Sequence, residues 1–365
     1  MKLRTILVAL AVLLSVSAIA VKPAELEWTD MKSYPLYGTV AHNQSVNYVR
    51  VPDSLKEGMR KELYDLATNT AGMYIRFATD ASAIGARWKA TKKFNMNHMT
   101  PTGIRGMDLY TLDNGKWTTV SSCRPNLNKH TTSTVVMQDM EPKMREYMLY
   151  LPLYDGVDSV YIGVNKGAHV QMPAVDSPRA AMPIIMYGTS ILQGGCASRP
   201  GMIHTSILSR ELDRQVINLG FSGNGKLDRD IARMIGRTPA SVIVVDALPN
   251  NKTEEVEAKM EPFIATIRQF QPTTPILLVE SPIFPLTRFN LETRSTIADK
   301  NAALRKIFDR LAPADPNLHY FRGEDIFGDC VEGTVDNYHF TDLGFTVYAR
   351  NMLPVLRSLL KTVDF

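Results

Sequence analysis

Residues 183–201 read Pro-Ile-Ile-Met-Tyr-Gly-Thr-Ser-Ile-Leu-Gln-Gly-Gly-Cys-Ala-Ser-Arg-Pro-Gly. The apolar run at residues 184–186 predicts a buried strand, and Gly-Thr-Ser at residues 188–190 ends it. Open α/β sheets place their ligands at the carboxyl ends of their strands, so a serine at this position is well placed for chemistry. Ser190 is therefore the candidate nucleophile, although a serine after a strand can also serve only as the cap of the next helix.

Partners for a serine nucleophile lie far downstream, in residues 335–342. Asp336 and His339 are three residues apart, so one loop can supply both a base and the carboxylate that orients it. Gly223 and Asn250 each follow a strand-like run, and a backbone N–H at Gly223 with the side-chain amide of Asn250 would form an oxyanion hole. Each residue alone is explained equally well by a turn or a helix end, whereas the complete set favours catalysis.

The second half of the chain alternates between strand-like runs and helix-length stretches, which predicts an α/β fold with a mainly parallel sheet flanked by helices. The strand-like runs are residues 184–187, 215–219, 242–247, 276–280 and 318–321, and the helix-length stretches are residues 202–213, 227–235, 254–270, 291–311 and 342–361. Residues 72–170 contain strand-like runs and turn signals, which predict an all-β sandwich of jelly-roll type. We expect a β-domain at residues 21–175, a proline-containing linker at 171–182 and an α/β domain at 176–365.

Composition and the N-terminus limit the partners. The 41 basic and 37 acidic residues give a net charge of +4 and form no basic tract, so we expect no nucleic-acid partner. Residues 1–20 contain Lys2 and Arg4, then an uncharged run, and end in Ser-Ala-Ile-Ala, which is the pattern of a cleaved signal peptide. We therefore expect a periplasmic or secreted protein with no membrane attachment after cleavage.

Two other motifs resemble segments of this sequence, but each is broken at one required residue. Residues 220–226 resemble a phosphate-binding loop, but Leu227 stands where such a loop needs Ser or Thr to hold Mg²⁺. Ser222 begins like the nucleophile of an α/β-hydrolase elbow, but Asn224 stands where the second glycine is required. A glycosidase would need two carboxylates that flank a sugar, and the sequence shows no such pair. We expect no cofactor and no metal site.

The remaining polar residues carry weaker expectations. Cys196 and Cys330 flank the predicted site and form either one disulfide or, with Cys123, a set of free thiols. Gln193 and Arg199 are candidates for substrate contact, although Arg199 is also suited to brace the loop after Ser190. We expect structural roles for three polar residues of the β-domain, namely Asp108, His98 and His130. If His339 is not the base, His204 and His319 are the next candidates.

The order Ser190, Gly223, Asn250, His339 resembles that of the SGNH hydrolase superfamily of GDSL-like esterases. The resemblance implies a flavodoxin-like α/β fold, Ser190 as nucleophile, His339 as base, Asp336 as its orienting carboxylate, and an oxyanion hole at Ser190, Gly223 and Asn250. Two positions depart from the pattern, because Thr189 replaces the usual Asp and residues 248–250 read Leu-Pro-Asn where many members have Gly-x-Asn-Asp. Residues 106–110, Gly-Met-Asp-Leu-Tyr, resemble the Gly-x-Asp-Leu-Tyr signature of an N-terminal β-domain in a bacterial subgroup.

The expected function is that of an exported serine esterase that hydrolyses a small acyl ester, acetyl above all, with a carbohydrate or another small molecule as the alcohol. The alternative is a carbohydrate-binding protein whose hydrolase domain is inert. A complete catalytic set argues against that alternative, because an inert domain has no need of all its members.

Overall fold

The computed structural model describes residues 20–41, 48–92 and 94–363. Of the predicted signal peptide, all but Ala20 lies outside the described residues, so the signal peptide stays a prediction. Within the part of the chain that the structure describes, none of the helices combines the length and the apolar character needed to cross a membrane.

The N-terminal part is built from antiparallel strands, as expected. In chain order its elements are β1 (Glu27–Asp30), β2 (Leu36–Tyr37), α1 (Lys61–Ala67), β3 (Tyr74–Thr79), β4 (Ile84–Ala90), α2 (Pro101–Ile104), β5 (Met107–Asp113), β6 (Lys116–Cys123), β7 (Thr131–Met137), β8 (Arg145–Tyr150), β9 (Val157–Val164) and β10 (Val170–Gln171).

These strands form two sheets among the described residues, in the orders β1-β9-β4-β7 and β10-β3-β8-β5-β6, with β2 paired to β3. One apolar cluster joins them, because Phe77 of β3 and Leu149 of β8 pack in the same core as Trp88 of β4 and Ile162 of β9. The two sheets therefore pack face to face as a sandwich.

The C-terminal part is the predicted α/β unit. Its elements are β11 (Arg179–Gly188), α3 (Ser190–Gln193), α4 (His204–Glu211), β12 (Arg214–Gly220), α5 (Arg229–Arg237), β13 (Val242–Asp246), α6 (Thr253–Arg268), β14 (Ile276–Val279), α7 (Leu291–Leu311), β15 (Leu318–Phe321), α8 (Gly323–Phe327) and α9 (Asp342–Lys361). Among the described residues, its five strands are all parallel and lie in the order β12-β11-β13-β14-β15. That order is flavodoxin-like and confirms the predicted fold class. The predicted linker is too long, because β10 ends at Gln171 and β11 already begins at Arg179.

Helices cover both faces of this sheet. Side chains alternate along β11, so Ile184 and Met186 pack in one apolar core while Ile185 and Tyr187 pack in the other. The first core holds buried residues of α3, α4 and α9, and the second holds buried residues of α5, α6 and α7. Ser190 and Asn250 follow β11 and β13, where the strand order reverses direction, which is the usual ligand position in such sheets.

The two parts of the chain share structure around α1. Leu63 of α1 packs in the second core of the parallel sheet. Arg50 is fully buried and donates hydrogen bonds to the backbone oxygens of Asn218, at 3.1 Å, and of Gly220, at 2.6 Å. The segment around residues 50–67 therefore supports the α/β unit, and the division at residues 175 and 176 remains a proposal.

Candidate active site

Ser190 is the first residue of α3, directly beyond the end of the central strand β11. Thr189 is the N-cap residue, and its side-chain oxygen accepts a hydrogen bond of 3.3 Å from the backbone N–H of Ile191. Ser190 is 9% exposed, so it lies at the floor of a cleft rather than on an open surface. Thr189, which departs from the family pattern, thus has a local role as the cap that ends the strand and begins the helix.

Asp336, His339 and Ser190 form one hydrogen-bonded chain. His339 Nε2 lies 2.9 Å from Ser190 Oγ, and His339 Nδ1 lies 2.7 Å from Asp336 Oδ2. The second carboxylate oxygen, Asp336 Oδ1, accepts a hydrogen bond of 2.7 Å from the backbone N–H of His339. The structure therefore brings together three predicted site residues, although Ser190 and His339 are 149 positions apart in the sequence.

The electrostatics of Asp336 suit a carboxylate that stays ionised. Burial alone would raise the pKa of this carboxyl, but hydrogen bonds from the ring and the backbone N–H of His339 outweigh it and lower the pKa below its usual value. An ionised Asp336 accepts a hydrogen bond from Nδ1–H of His339. This bond favours the tautomer in which Nε2 carries no proton. Nε2 is the ring atom that faces Ser190 Oγ.

Gly223 and Asn250 lie beyond the carboxyl ends of β12 and β13, the two strands that flank β11. Gly223 has a φ of +68°, which glycine adopts without strain, in a turn closed by a 2.9 Å hydrogen bond from the N–H of Asn224 to the oxygen of Phe221. The side-chain oxygen of Asn250 accepts a hydrogen bond of 3.2 Å from the N–H of Gly225. That bond fixes the amide group, so its Nδ2 points away from Gly225.

The side chains of Arg60 and Asn251 hold these two loops. Arg60 donates to Asn224 Oδ1 at 2.7 Å and binds the carboxylate of Asp228 through two nitrogens, at 2.9 and 3.1 Å. Asn251 is buried and donates to the backbone oxygens of Gly225, at 2.8 Å, and Ala247, at 2.7 Å. The sequence could not reveal Arg60, because it lies 164 positions from Asn224 and no local pattern signals their contact.

Gln193 and Arg199 are braces. Gln193 is fully buried, and its side chain accepts from the N–H of Ser222 at 2.9 Å and donates to the oxygen of Leu153 at 3.2 Å. Arg199 donates to Asp108 Oδ2 and, at 2.8 Å, to the hydroxyl of Tyr110. A role in substrate contact is therefore wrong for Gln193, and the guanidinium of Arg199 is engaged by two residues of the β-domain.

His98, for which a structural role was expected, lies beside Asp336 and His339. Its Nε2 lies 3.8 Å from Asp336 Oδ2, and its ring centroid lies 5.5 Å from that of His339. The sequence predicts a structural role for His98 because its spacing from Asp108 and His130 suggests no chemistry. His130 does have a structural contact, since its Nδ1 lies 3.0 Å from the backbone oxygen of Ala90.

The other candidate histidines and the cysteines lie as follows. His204 is buried between the rings of Phe345 and Tyr348, and burial lowers its pKa to about 3. His319 lies on β15, and burial lowers its pKa as well. All three cysteines are free thiols. Although no metal site was expected, the ligand atoms of His98, Cys196 and His339 lie within 4.8 Å of one another.

A cavity of about 250 Å³ lies beside the predicted catalytic residues. Pro249, which precedes Asn250, and Tyr338, which precedes His339, both line it, together with Phe284, Glu292 and Lys300. Its wall therefore combines two aromatic rings with charged groups of both signs. A larger cavity of about 810 Å³ is lined by residues that precede β13, β14 and β15, including Ser241, Pro275 and Asn317. It opens at the opposite edge of the sheet from Ser190 and is not part of this site.

With the fold and this geometry in place, the class is that of an α/β ester hydrolase. Residues 181–357 match the GDSL-like lipase/acylhydrolase family, and residues 26–170 match the family described as the N-terminus of SGNH-hydrolase-type esterases, the GxDLY domain. A protein from Bacteroides ovatus ATCC 8483 described as a GDSL-like lipase is 32% identical, with a TM-score of 0.87 over 92% of this chain and 98% of that one. The chain therefore belongs to the GDSL-like lipase/acylhydrolase family, as an SGNH hydrolase with a GxDLY N-terminal domain, and it is an ester-bond hydrolase.

More distant structures share the fold. The salicylyl-acyltransferase SsfX3 of a tetracycline biosynthetic pathway is 18% identical, with a TM-score of 0.74 over 92% of this chain and 98% of that one. A family two carbohydrate esterase from Cellvibrio japonicus is 13% identical, with a TM-score of 0.58 over the same shares of the two chains. No curated protein matches this chain.

Proposed function

We propose that this chain is an exported serine esterase that removes a small acyl group, acetyl above all, from a carbohydrate. The observation that carries the proposal is the hydrogen-bonded chain from Asp336 through His339 to Ser190, with ring-nitrogen distances of 2.7 and 2.9 Å. Such a chain turns a weakly nucleophilic hydroxyl into an effective nucleophile, because the base accepts its proton as the new bond forms.

The reaction has two halves. Ser190 Oγ attacks the ester carbonyl carbon while its proton moves to His339 Nε2, and the collapse of the tetrahedral intermediate expels the alcohol, which takes that proton. The acyl group is then held as an ester on Ser190. Water attacks this ester with His339 again as base, and the collapse of the second intermediate releases the acid and returns the proton to Ser190.

The negative oxygen of each intermediate needs hydrogen-bond donors. We assign this role to the backbone N–H groups of Ser190 and Gly223 and to Asn250 Nδ2. The fixed amide of Asn250 supports the assignment, since its oxygen is already bound by the N–H of Gly225. Donors held in place before the reaction stabilise the oxyanion without having to reorganise.

A carbohydrate is supported by the cavity beside the site. Phe284 and Tyr338 give it apolar rings, while Glu292 and Lys300 offer hydrogen-bonding groups, a mixture that suits a sugar. Similar folds described as carbohydrate esterases, such as the one from Cellvibrio japonicus, fit this choice. Export rests on the signal-peptide pattern of residues 1–20 and leads to the periplasm or the cell exterior.

Hydrolysis of an activated acetyl ester and of acetylated sugars by the purified mature chain tests the proposal. We expect release of acetate that is lost in Ser190→Ala and kept in the matched control Ser222→Ala. Activity that survives in Ser190→Ala would remove the nucleophile assignment. A preference for long-chain esters over acetyl esters would overturn the proposed substrate.

A further inference from the structure

Three side chains of types that can ligate a metal lie together around His339. The ligand atoms of His98, Cys196 and His339 all lie within 4.8 Å of one another. They come from three separate segments, namely the connection between β4 and α2, the loop after α3 and the loop before α9. Sequence spacing cannot reveal such a cluster, because only the fold brings the segments together.

The donor set matches a soft divalent cation. One thiolate and two imidazoles are typical ligands of Zn²⁺. Tetrahedral coordination with Zn–N bonds near 2.1 Å and a Zn–S bond near 2.3 Å places donor atoms about 3.5 Å apart, so the cluster has to contract by about 1 Å. His98 can supply that movement, since its side chain is 30% exposed and its Nδ1 contact, at 3.0 Å, is with the neighbouring Asn97.

Cys196 has an unusual backbone for a residue with a side chain. Its φ of +73° lies in the left-handed region, which carries a conformational cost for a residue with a side chain. Glycine would remove that cost, and two glycines, Gly194 and Gly195, directly precede this position. Coordination by Cys196 replaces its S–H bond by a sulfur–metal bond and releases one proton to solvent.

We propose that His98, Cys196 and His339 bind a divalent cation of the Zn²⁺ type, and that the bound ion inhibits hydrolysis at Ser190. A metal on Nε2 of His339 removes the lone pair that accepts the Ser190 proton, and a metal on Nδ1 displaces Asp336. Either arrangement disables the base. The inhibition rests on the proposed role of His339, whereas the binding itself does not.

Binding is tested on the full mature chain, by competition for Zn²⁺ with a chromophoric chelator and by the shift in melting temperature that a ligand of the native state produces. We expect one ion per chain, and a loss of affinity of about tenfold or more in His98→Asn and in Cys196→Ala. His130→Asn and Cys330→Ser are matched controls that should bind like the wild type. Wild-type affinity in His98→Asn or Cys196→Ala, each shown to be folded by its melting curve, would overturn the site.

Inhibition is measured separately, as acetyl-ester hydrolysis with increasing Zn²⁺. We expect reversible inhibition that a chelator relieves, that Mg²⁺ does not reproduce, and that requires about tenfold or more Zn²⁺ in Cys196→Ala. Full activity with the ion bound, or equal inhibition by Mg²⁺, would overturn the inhibitory role. A chain with no esterase activity would refute the proposed function, while the chelator competition would still decide the metal site.

Discussion

Asp108 of β5 accepts a hydrogen bond from Arg199, nine residues beyond Ser190, and so joins the β-sandwich to the segment that follows the nucleophile. Asp108 is fully buried, and the same carboxylate oxygen accepts the N–H of Gly201 at 3.0 Å. Tyr110 adds its hydroxyl to Arg199, and its ring lies under the guanidinium of Arg210. The Asp and Tyr of the Gly-x-Asp-Leu-Tyr signature thus have one physical task, which is to hold the nucleophile segment against the sandwich.

Loss of Asp108 should therefore destabilise the whole chain. Asp108→Ala leaves Arg199 without its buried partner, and we expect the free energy of unfolding to fall by about 3 kcal/mol. Tyr110→Phe removes one hydrogen bond and keeps the ring, so it should cost only about 1 kcal/mol. Urea unfolding measures both values. Equal stabilities for the wild type and Asp108→Ala would show that the contact does not join the two parts.

The amide of Asn250 should matter in the transition state and not in substrate binding. We expect Asn250→Ala to lower kcat by about 10²–10³ with little change in KM, because the oxyanion carries full charge only as the intermediate forms. Asn250→Asp is the sharper variant, since it keeps an oxygen to accept the N–H of Gly225 but loses the donor. Steady-state kinetics of Asn250→Asp that match the wild type would exclude Asn250 from the oxyanion hole.

Substitution of the base should lower kcat more than substitution of the carboxylate that orients it. We expect His339→Ala to cost nearly as much as Ser190→Ala, about 10⁵-fold in kcat, because neither group works without the other. Asp336→Asn should lose about 10- to 100-fold less, since the imidazole remains in place. Rates for a purified series of the three variants provide the test. If Asp336→Asn were as damaging as His339→Ala, the orienting role of Asp336 would be wrong.

The pH profile gives an independent check on the same pair. His339 accepts a proton only when neutral, so kcat/KM should rise over the pH interval in which this ring loses its proton. Hydrogen bonds from His339 hold the pKa of Asp336 below its usual value despite partial burial, so this carboxylate is ionised throughout that interval. The rise should therefore involve one proton, and a rise that involves two would contradict this account.

Asp246, at the end of β13, should make stability depend on pH. Burial raises its pKa to about 7, and the hydroxyl of Tyr348, 3.0 Å away, offsets this only in part. Because the pKa is raised in the folded state, the folded chain holds a proton that the unfolded chain lacks between pH 4 and 7. The free energy of unfolding should then fall by about 1.4 kcal/mol for each unit by which the pH rises across that window. Asp246→Asn keeps an acceptor for Tyr348 and should remove this dependence of stability on pH. Thermal melts at several pH values provide the test, and a dependence that remains in Asp246→Asn would contradict the account.

The sequence predicts most of what is local. The bounds of α7 and α9 are those predicted from the sequence, because long helix-length stretches between strand-like runs are well delimited. Ser190, Gly223 and Asn250 could be found because each follows a strand, and the carboxyl ends of parallel strands meet at one edge. Asp336 and His339 could be found because they lie three residues apart in one short segment. What the sequence missed depends on side chains that meet only after folding. Arg60 with Asn224 and His98 with Asp336 are such pairs, and neither spacing nor composition encodes them.

The central claim, that Ser190 is the activated nucleophile, is tested most directly by covalent labelling. A phosphonate ester with a good leaving group bonds to an activated serine, and peptide mass mapping then locates the label. We expect one label per chain, on Ser190, with labelling slowed strongly in His339→Ala and unchanged in Ser222→Ala. A label on Ser222, or an unlabelled chain that still hydrolyses acetyl esters, would contradict the account.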